Sequence, residues 1–291
     1  MTGQGAHEVA GRLARLTGTG VTDLRPVGAA HQRRHFQATL SDGRAVFVKT
    51  ADADGTAVIA AEAHGLAWLA AAGSAPLPEV FGCDESLLVI SWLPAGAPDA
   101  AAAERFGREL AGTHAAGAGQ FGAPWPGFIA SLPLANDPPA DGGWPGWYAS
   151  RRLLPFLRHA ADAGALGPAQ VGEVEAVIAR IGQLAGPAEP PSRIHGDCWS
   201  GNVLWSGGRG WLIDPAAHGG HRETDLAMLA LFGAPFLDRI LGSYQEVAPL
   251  AAGWRARVPL HQLHPLLVHA CLFGSGYAGP VADAARAARR A

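Results

Sequence analysis

Three oxygen-bearing side chains lie close together in segment 195–214, and their types suit the handling of a proton and a metal ion. Asp197 and Asn202 belong to the run His-Gly-Asp-Cys-Trp-Ser-Gly-Asn, and Asp214 ends the apolar run Trp-Leu-Ile-Asp. A carboxylate can orient an alcohol and accept its proton, and carboxylate and amide oxygens are ligands that Mg²⁺ prefers. Surface turns also use these residue types. The combined set instead predicts phosphoryl transfer, with Asp197 as base and Asn202 and Asp214 as metal ligands.

A lysine and a glutamate upstream supply the charges that such a reaction needs. Lys49 ends the strand-like run Ala-Val-Phe-Val-Lys, and Glu62 lies on the helical segment that follows. A lysine at the end of a strand is often only a solvated charge. Next to Asp197, Asn202 and Asp214, however, the pattern predicts that Lys49 contacts nucleotide phosphates and that Glu62 is its ionic partner.

The segment expected to cover the phosphates is poor in glycine. Gly28-Ala29-Ala30-His31-Gln32 contains one glycine, and it has neither the G-x-G-x-x-G nor the G-x-x-x-x-G-K-[ST] pattern. Two interpretations stay open: an ordinary turn between strands, or a nucleotide-covering loop in which Gly28 approaches the phosphates.

Alternating and helical patterns along the chain predict the elements that position these side chains. An amphipathic helix at 5–17 precedes five strands, with a helix at 56–72 after the third strand and a hairpin turn at Ser41-Asp42-Gly43. The strands are predicted at 24–27, 35–40, 45–49, 79–83 and 87–92. Pro94 to Pro98 interrupts the pattern, so we predict an N-terminal nucleotide-binding lobe at 1–93 and a catalytic and substrate-binding lobe at 94–291.

The second lobe is predicted to be mainly helical, with a two-stranded insert. Helices are expected at 100–116, 147–164, 169–184, 225–232, 236–248 and 259–273 and from 281 onward, strands at 203–205 and 211–213, and a long ordered loop at 117–146. The fold class is therefore α+β with two lobes: a five-stranded antiparallel sheet with a helix, followed by a helical lobe.

The composition limits the classes of partner. The chain has 291 residues, 48% hydrophobic and 16% charged, with a net charge of −3, which gives no reason to expect nucleic acid as a partner. No apolar run reaches the length of a membrane span, and no signal peptide is evident. The three cysteines lie far apart without zinc spacing. We expect a cytoplasmic protein without a membrane partner, of unspecified oligomeric state.

With these motifs in view, the chain resembles the fructosamine kinases, also called ketosamine 3-kinases, a branch of the aminoglycoside-phosphotransferase and choline-kinase group. The spacing of Asp197 and Asn202 is that of the protein-kinase catalytic loop. Within that loop, Trp199-Ser200 narrows the choice to fructosamine kinases, as does the later run Gly220-His221-Arg222-Glu223 with Asp225. The family pattern is also matched, more weakly, at Phe106–Ala111 and His114. With Lys49 and Glu62 included, the resemblance covers nearly the whole chain.

The resemblance implies a protein-kinase-like fold and ATP-dependent phosphorylation of a ketoamine at its 3-hydroxyl, which supports deglycation. Asp197 would then be the base, Mg²⁺ would be held by Asn202 and Asp214, and Ile90 to Leu93 would contact adenine. The acceptor would be a small ketoamine or a glycated protein. Its candidate contacts are Trp147, Trp199, His221 and Arg222. The two histidines His218 and His221 suggest either a metal site or, more simply, residues that shape a loop.

Two other functions stay open. A kinase for another alcohol, such as an aminoglycoside or choline, would share the transfer residues, although segments 117–165 and 236–280 have few carboxylates to bind a polycation. A nucleotide-binding pseudokinase would explain the glycine-poor loop, but it would not require Lys49, Glu62, Asp197, Asn202 and Asp214 together.

Overall fold

The computed structural model describes residues 3–30, 33–51, 55–138 and 143–290, with side chains described from residue 7 onward and not for Ala30. The helices are α1 (Gly3–Thr17), α2 (Thr56–Ala70), α3 (Ala100–Ala115), α4 (Trp144–Tyr148), α5 (Leu154–Asp162), α6 (Pro168–Ile178), α7 (Ile181–Leu184), α8 (Glu223–Leu231), α9 (Leu237–Val247), α10 (Trp254–Phe273) and α11 (Ala278–Arg290). The strands are β1 (Val21–Ala30), β2 (Arg33–Leu40), β3 (Ala45–Thr50), β4 (Val80–Cys83), β5 (Leu87–Ser91), β6 (Gly127–Ile129), β7 (Leu132–Leu134), β8 (Ser192–Ile194), β9 (Val203–Ser206), β10 (Arg209–Leu212) and β11 (His218–Gly220).

The N-terminal region is an antiparallel sheet of five strands in the order β1-β2-β3-β5-β4. The predicted hairpin between β2 and β3 is present, and Gly43 has the positive φ of 87° that its tight turn requires. Strand β5 is apolar throughout because both of its faces are covered. Leu87 and Val89 pack towards α1, whereas Leu88 and Ile90 pack towards α2.

The remainder is mainly helical and has two apolar cores. One core joins α3, α9 and the β9–β10 hairpin through residues such as Phe106, Ile240 and Trp205. The other joins α5, α6, α10 and α11. Helices α3 and α9 approach closely at Gly107, where an added Cβ would lie 2.3 Å from the carbonyl oxygen of Ile240. The predicted architecture, five strands with a helix followed by a helical region, is confirmed.

The structure corrects several predicted segments. The expected loop at 117–146 contains the β6–β7 hairpin and the start of α4, and β8 pairs with β11, which the sequence pattern did not reveal. The expected helix at 147–164 is instead α4, a π-helical turn (Ala149–Leu153) and α5. Pro155 has no N–H to donate to the preceding turn, which accounts for the irregular hydrogen bonding there. The helix expected at 169–184 is divided into α6 and α7.

Residues 92–99 join the sheet to α3 without forming a helix or strand. Asp99 then caps α3, and its carboxylate accepts a hydrogen bond from the backbone N–H of Ala102 at 2.7 Å. The lobe boundary at Leu93 stays a prediction. Among the described helices, none combines the length and the apolar character needed to cross a membrane.

Candidate active site

A buried lysine connects the sheet to the helical region. Lys49 lies at the end of β3 and is 3% exposed. Its Nζ lies 2.5 Å from Oε1 of Glu62 on α2, and it also contacts Oδ1 of Asp214. Burial alone would lower the pKa of Lys49, but the two carboxylates raise it above its ordinary value. The lysine is therefore a fixed positive charge, and Glu62 pairs with it as predicted.

Asp214 is held in an unusual backbone conformation just after β10. Its φ of 53° lies in the left-handed region, which non-glycine residues seldom adopt and which is often found at functional sites. The N–H of Ile213 donates to the carbonyl oxygen of Asn202 at 3.0 Å, which aligns the segment with the preceding loop. Although burial would raise the pKa of Asp214, Lys49 holds it below the ordinary value, so the carboxylate is ionised.

Asp197 and Asn202 face each other within one turn of the loop between β8 and β9. The side-chain nitrogen of Asn202 donates to both the carboxylate Oδ2 and the backbone oxygen of Asp197, each at 2.9 Å. The amide oxygen of Asn202 is then the atom available to a cation. Burial raises the pKa of Asp197 to about 7, with further contributions from Asp214 and Asp225. A carboxylate with this pKa can accept a proton near neutral pH.

His195 fixes this catalytic loop, residues 195–202, from within. Its Nε2 lies 2.8 Å from the carbonyl oxygen of Ile213 and must donate to it, so Nδ1 accepts the N–H of Asp197 at 3.2 Å. Burial lowers the pKa of His195, which agrees with this neutral tautomer. Gly196 has a φ of 81°, and an added Cβ would lie 2.3 Å from the oxygen of Ala216. Glycine is therefore required before Asp197.

Asp225 on α8 anchors the same loop from below. It is fully buried, and its carboxylate accepts the N–H groups of His195 at 2.7 Å and Gly196 at 2.9 Å. The Nε2 of His114 on α3 lies 3.1 Å from the carboxylate, and the other ring nitrogen meets the Tyr244 hydroxyl at 2.8 Å. Burial opposes ionisation, but the bonds from His114 and His195 lower the pKa of Asp225 overall. The residue acts structurally, by orienting the loop.

Two cavities meet at Asp214. The first, of about 310 Å³, is mainly apolar and is lined by β3, β5, β9 and the segment after β5. Its lining includes Phe47, Ile90, Leu93 and Leu204 together with Lys49. The two residues predicted to contact adenine, Ile90 and Leu93, both line this cavity, and its size and apolar walls are of the kind that a planar base would need.

The second cavity, of about 330 Å³, contains the predicted transfer residues. Asp197, Asn202 and Asp214 line it together with the rings of Trp199 and Phe128. The structure thus brings together the predicted base and both predicted metal ligands. Their oxygens are hard donors suited to Mg²⁺, so the residues present fit the predicted metal. We call this space the acceptor cavity.

Sequence reasoning missed Arg33, which also lines the acceptor cavity. It is the first residue of β2, directly after the glycine-poor segment. Its Nη1 lies 3.7 Å from Oε2 of Glu62, and its Nη2 donates to the carbonyl oxygen of Ala130 at 3.4 Å. The expected phosphate-binding pattern is defined by its glycines, so it gives no signal for an arginine at this position. Gly28 lies in β1 at a shift in the pairing with β2, outside both cavity linings, and His31 and Gln32 lie outside the described residues.

The structure places three of the four candidate acceptor contacts away from the cavity. Trp147 is 1% exposed, and its ring lies 4.3 Å from the Arg152 guanidinium while its Nε1 donates to the oxygen of Asp137. Arg222 forms a two-pronged ion pair with Glu189 at 2.7 and 2.8 Å. These partners draw both side chains into the helical region, so only Trp199 of the four lines the acceptor cavity.

His221 is buried in a cluster with Glu223 and His261, whose candidate ligand atoms lie within 4.8 Å of one another. Arg257 donates to Glu223 at 2.9 and 2.5 Å and already balances its charge. Burial would raise the pKa of Glu223, but His261 and Arg257 lower it to about 2. The Nδ1 of His221 accepts the Glu223 N–H at 3.2 Å. This arrangement favours the loop-shaping interpretation over a metal site.

Comparison with known proteins identifies the family of the chain. The sequence model of the fructosamine kinase family matches residues 7–287. The chain belongs to this family. A "Probable ketoamine kinase" from Thermus thermophilus is 37% identical over 234 residues, covering 80% of this chain and 83% of that protein. The chain is accordingly a kinase-family phosphotransferase.

Solved structures give the same result for the fold. A "putative fructosamine-3-kinase" from Thermobifida fusca superposes with a TM-score of 0.93 at 53% identity, covering 97% of this chain and 99% of that one. A macrolide 2'-phosphotransferase from Brachybacterium faecium superposes with a TM-score of 0.63 at 17% identity, covering 97% of each chain, and shares the fold alone. The predicted protein-kinase-like fold is confirmed.

Proposed function

We propose that this chain transfers the γ-phosphoryl group of ATP to a hydroxyl of a ketoamine, at the 3-position by its family resemblance, and thereby supports deglycation. The observation that carries the proposal is the meeting of two cavities at Asp214, with Lys49 on one side and Asp197 on the other. A base bound in the apolar cavity would direct its phosphates past Lys49 towards the acceptor cavity. Transfer between two bound molecules requires this geometry.

Each side chain then has a defined task. Asp197 orients the acceptor hydroxyl and takes its proton as the oxygen bonds to phosphorus. Lys49, held by Glu62, would bind phosphate oxygens, and Asn202 and Asp214 would hold Mg²⁺. The ion, when bound, neutralises charge on the phosphates. Arg33, which lines the acceptor cavity beside Glu62, adds a second positive charge.

The surroundings of the acceptor cavity favour a ketoamine over a polycationic aminoglycoside. Beyond Asp197, Asn202 and Asp214, the lining combines apolar groups such as Val58, Phe128 and Trp199 with the charged Arg33 and Glu62. Glu62 is already paired with Lys49 and Arg33, so a substrate with several ammonium groups would find few unpaired carboxylates in this lining. The acceptor, free or carried on a glycated protein, is expected where thiols stay reduced, because all three cysteines are free. This supports the cytoplasm.

The proposal is tested with purified protein, Mg-ATP and a panel of fructose-, ribulose- and erythrulose-derived amines. We expect ADP release that depends on the ketoamine, and a product whose phosphorus couples to the proton on carbon 3 in NMR spectra. Nucleotide binding without transfer to any ketoamine would reject the proposal in favour of a pseudokinase. Efficient transfer to an aminoglycoside or choline alone would reject the proposed acceptor class.

A further inference from the structure

Five aromatic side chains form a partly exposed surface that begins at the catalytic loop. We call it the aromatic ledge: Trp199, Phe232, His269, Phe273 and Tyr277. The ring of Phe232 lies 6.1 Å from Trp199 and 4.9 Å from His269, and His269 lies 5.4 Å from Phe273 and 5.0 Å from Tyr277. Trp199 and Phe232 are each 38% exposed, and Phe273 is 61% exposed. Large rings are seldom left exposed in a contiguous group without a binding role.

The ledge is continuous with the acceptor cavity. Trp199 lines that cavity beside Asp197 and contacts Phe232 on its other side. Arg33, Glu62 and Asp214 also line the cavity, but Glu62 is already paired with Arg33, and Asp214 with Lys49. An acceptor whose hydroxyl reaches Asp197 therefore has an apolar direction in which its remaining part can extend, towards Phe232 and Phe273.

We propose that the aromatic ledge binds the nitrogen substituent of the ketoamine, and that the enzyme selects apolar or aromatic substituents there. This inference rests on the proposed function. A ketoamine nitrogen is a secondary amine that carries a positive charge at neutral pH, and such a cation is attracted to the face of a ring such as Trp199. The carbon chain beyond it would lie on Phe232 and Phe273, where it leaves water.

The state of His269 agrees with this assignment. Burial of its ring lowers the pKa of His269, and its Nδ1 lies 2.7 Å from the oxygen of Pro265, to which it donates. The imidazole is then neutral at pH 7 and does not repel an approaching ammonium group. The ledge as a whole offers ring surfaces, on which an apolar or aromatic substituent buries more apolar area than a small substituent does.

The test compares two ketoamines that differ only in the nitrogen substituent: 1-deoxy-1-(methylamino)fructose and its 1-(2-phenylethylamino) analogue. We expect kcat/KM to favour the phenylethyl compound about tenfold in the unaltered enzyme, mainly through KM. F273A and F232A should reduce this ratio towards one, chiefly by lowering kcat/KM for the phenylethyl compound. F236A is the matched control, since Phe236 is 45% exposed outside the ledge, and it should retain the preference.

The outcomes separate this inference from the proposed function. Transfer to both compounds with no preference, or a preference that survives in F273A and F232A, would overturn the ledge while the kinase activity stands. Loss of the preference in F236A as well would also overturn it, because the effect would then not be specific to the ledge. Absence of transfer to either compound would overturn the proposed function and the ledge with it.

Discussion

The catalytic loop and Arg33, the first residue of β2, both line the acceptor cavity, but they are held very differently. The loop is fixed by buried hydrogen bonds to Asp225 and by the His195 bridge to Ile213. The Arg33 side chain, by contrast, contacts Glu62 at 3.7 Å and the oxygen of Ala130 at 3.4 Å. The contrast predicts that changes to the loop or its anchors disturb activity more than the loss of Arg33 does.

The largest effect on activity is expected from D197N. The amide cannot accept the hydroxyl proton, so kcat should fall about 10³-fold. Folding should be unaffected or slightly improved, because burial already raises the pKa of Asp197 to about 7 and the charged form is costly in the folded state. Steady-state kinetics and urea unfolding measure the two effects, and a normal kcat would rule out Asp197 as the base.

D225N should damage both activity and folding. The amide leaves at least one of its three donors, the N–H groups of His195 and Gly196 and the His114 ring, without an acceptor, at a cost of about 1–3 kcal/mol. With the loop displaced, kcat should fall roughly 10²-fold. Urea unfolding at pH 7 measures the loss of stability, and steady-state kinetics measure kcat. An unchanged free energy of unfolding would refute the anchoring role.

The pH dependence of unfolding sharpens this test. The folded-state pKa of Asp225 lies below its ordinary value, so the carboxylate's contribution to stability is complete above that ordinary value and is lost as the pH falls through the folded-state pKa. D225N should therefore show a shallower loss of stability on acidification than the unaltered protein. Equal slopes for the two proteins would contradict it.

Two glycine substitutions separate backbone strain from steric collision. Gly196 and Gly208 have similar φ values of 81° and 70°, but an added Cβ collides with the Ala216 oxygen at Gly196 and meets nothing within 4 Å at Gly208. G208A should cost about 1 kcal/mol and leave kcat unchanged, whereas G196A should cost more and lower kcat. Thermal unfolding and kinetics check this pair, and equal effects would show that the collision is unimportant.

The smallest effect on activity is expected from the loss of Arg33. R33A should raise the KM for ATP about tenfold with little change in kcat, since one partly exposed cation is lost from the phosphate side. Arg34 is exposed and serves as the matched control, so R34A should behave like the unaltered protein. A large fall in kcat for R33A would mean that Arg33 also helps to position the reacting groups.

The sequence predicted the transfer residues because their signals are local. Asp197 and Asn202 lie in one loop, Lys49 ends a strand, and Asp214 follows a strand, so type and position suffice. The anchoring by Asp225 could not be predicted, since its bonds to His195 and Gly196 cross 30 and 29 residues of chain. The pattern gave Asp225 a place at the start of a helix, and the structure adds which backbone groups it holds.

Side-chain direction explains the other differences. Trp147 is predicted as a substrate contact from its type, but the orientation of α4 directs its ring at Arg152 in the core.

The short strands of the helical region were missed because they are too short to give a pattern. Strands β6 and β7 have only three residues each, and Pro133 weakens the strand pattern, so the sequence predicts a loop there. Strand β8 is equally short and pairs with a distant partner, β11.

The bond between Lys49 and Asp214 has a consequence for how the chain folds. It joins residues separated by 165 positions, so closing that loop carries an entropic cost that local helices and hairpins avoid. We therefore expect the ion pairs of Lys49 with Glu62 and Asp214 to be complete only late during refolding, after helix and sheet content has returned. Recovery of activity should lag behind recovery of the far-ultraviolet circular dichroism signal.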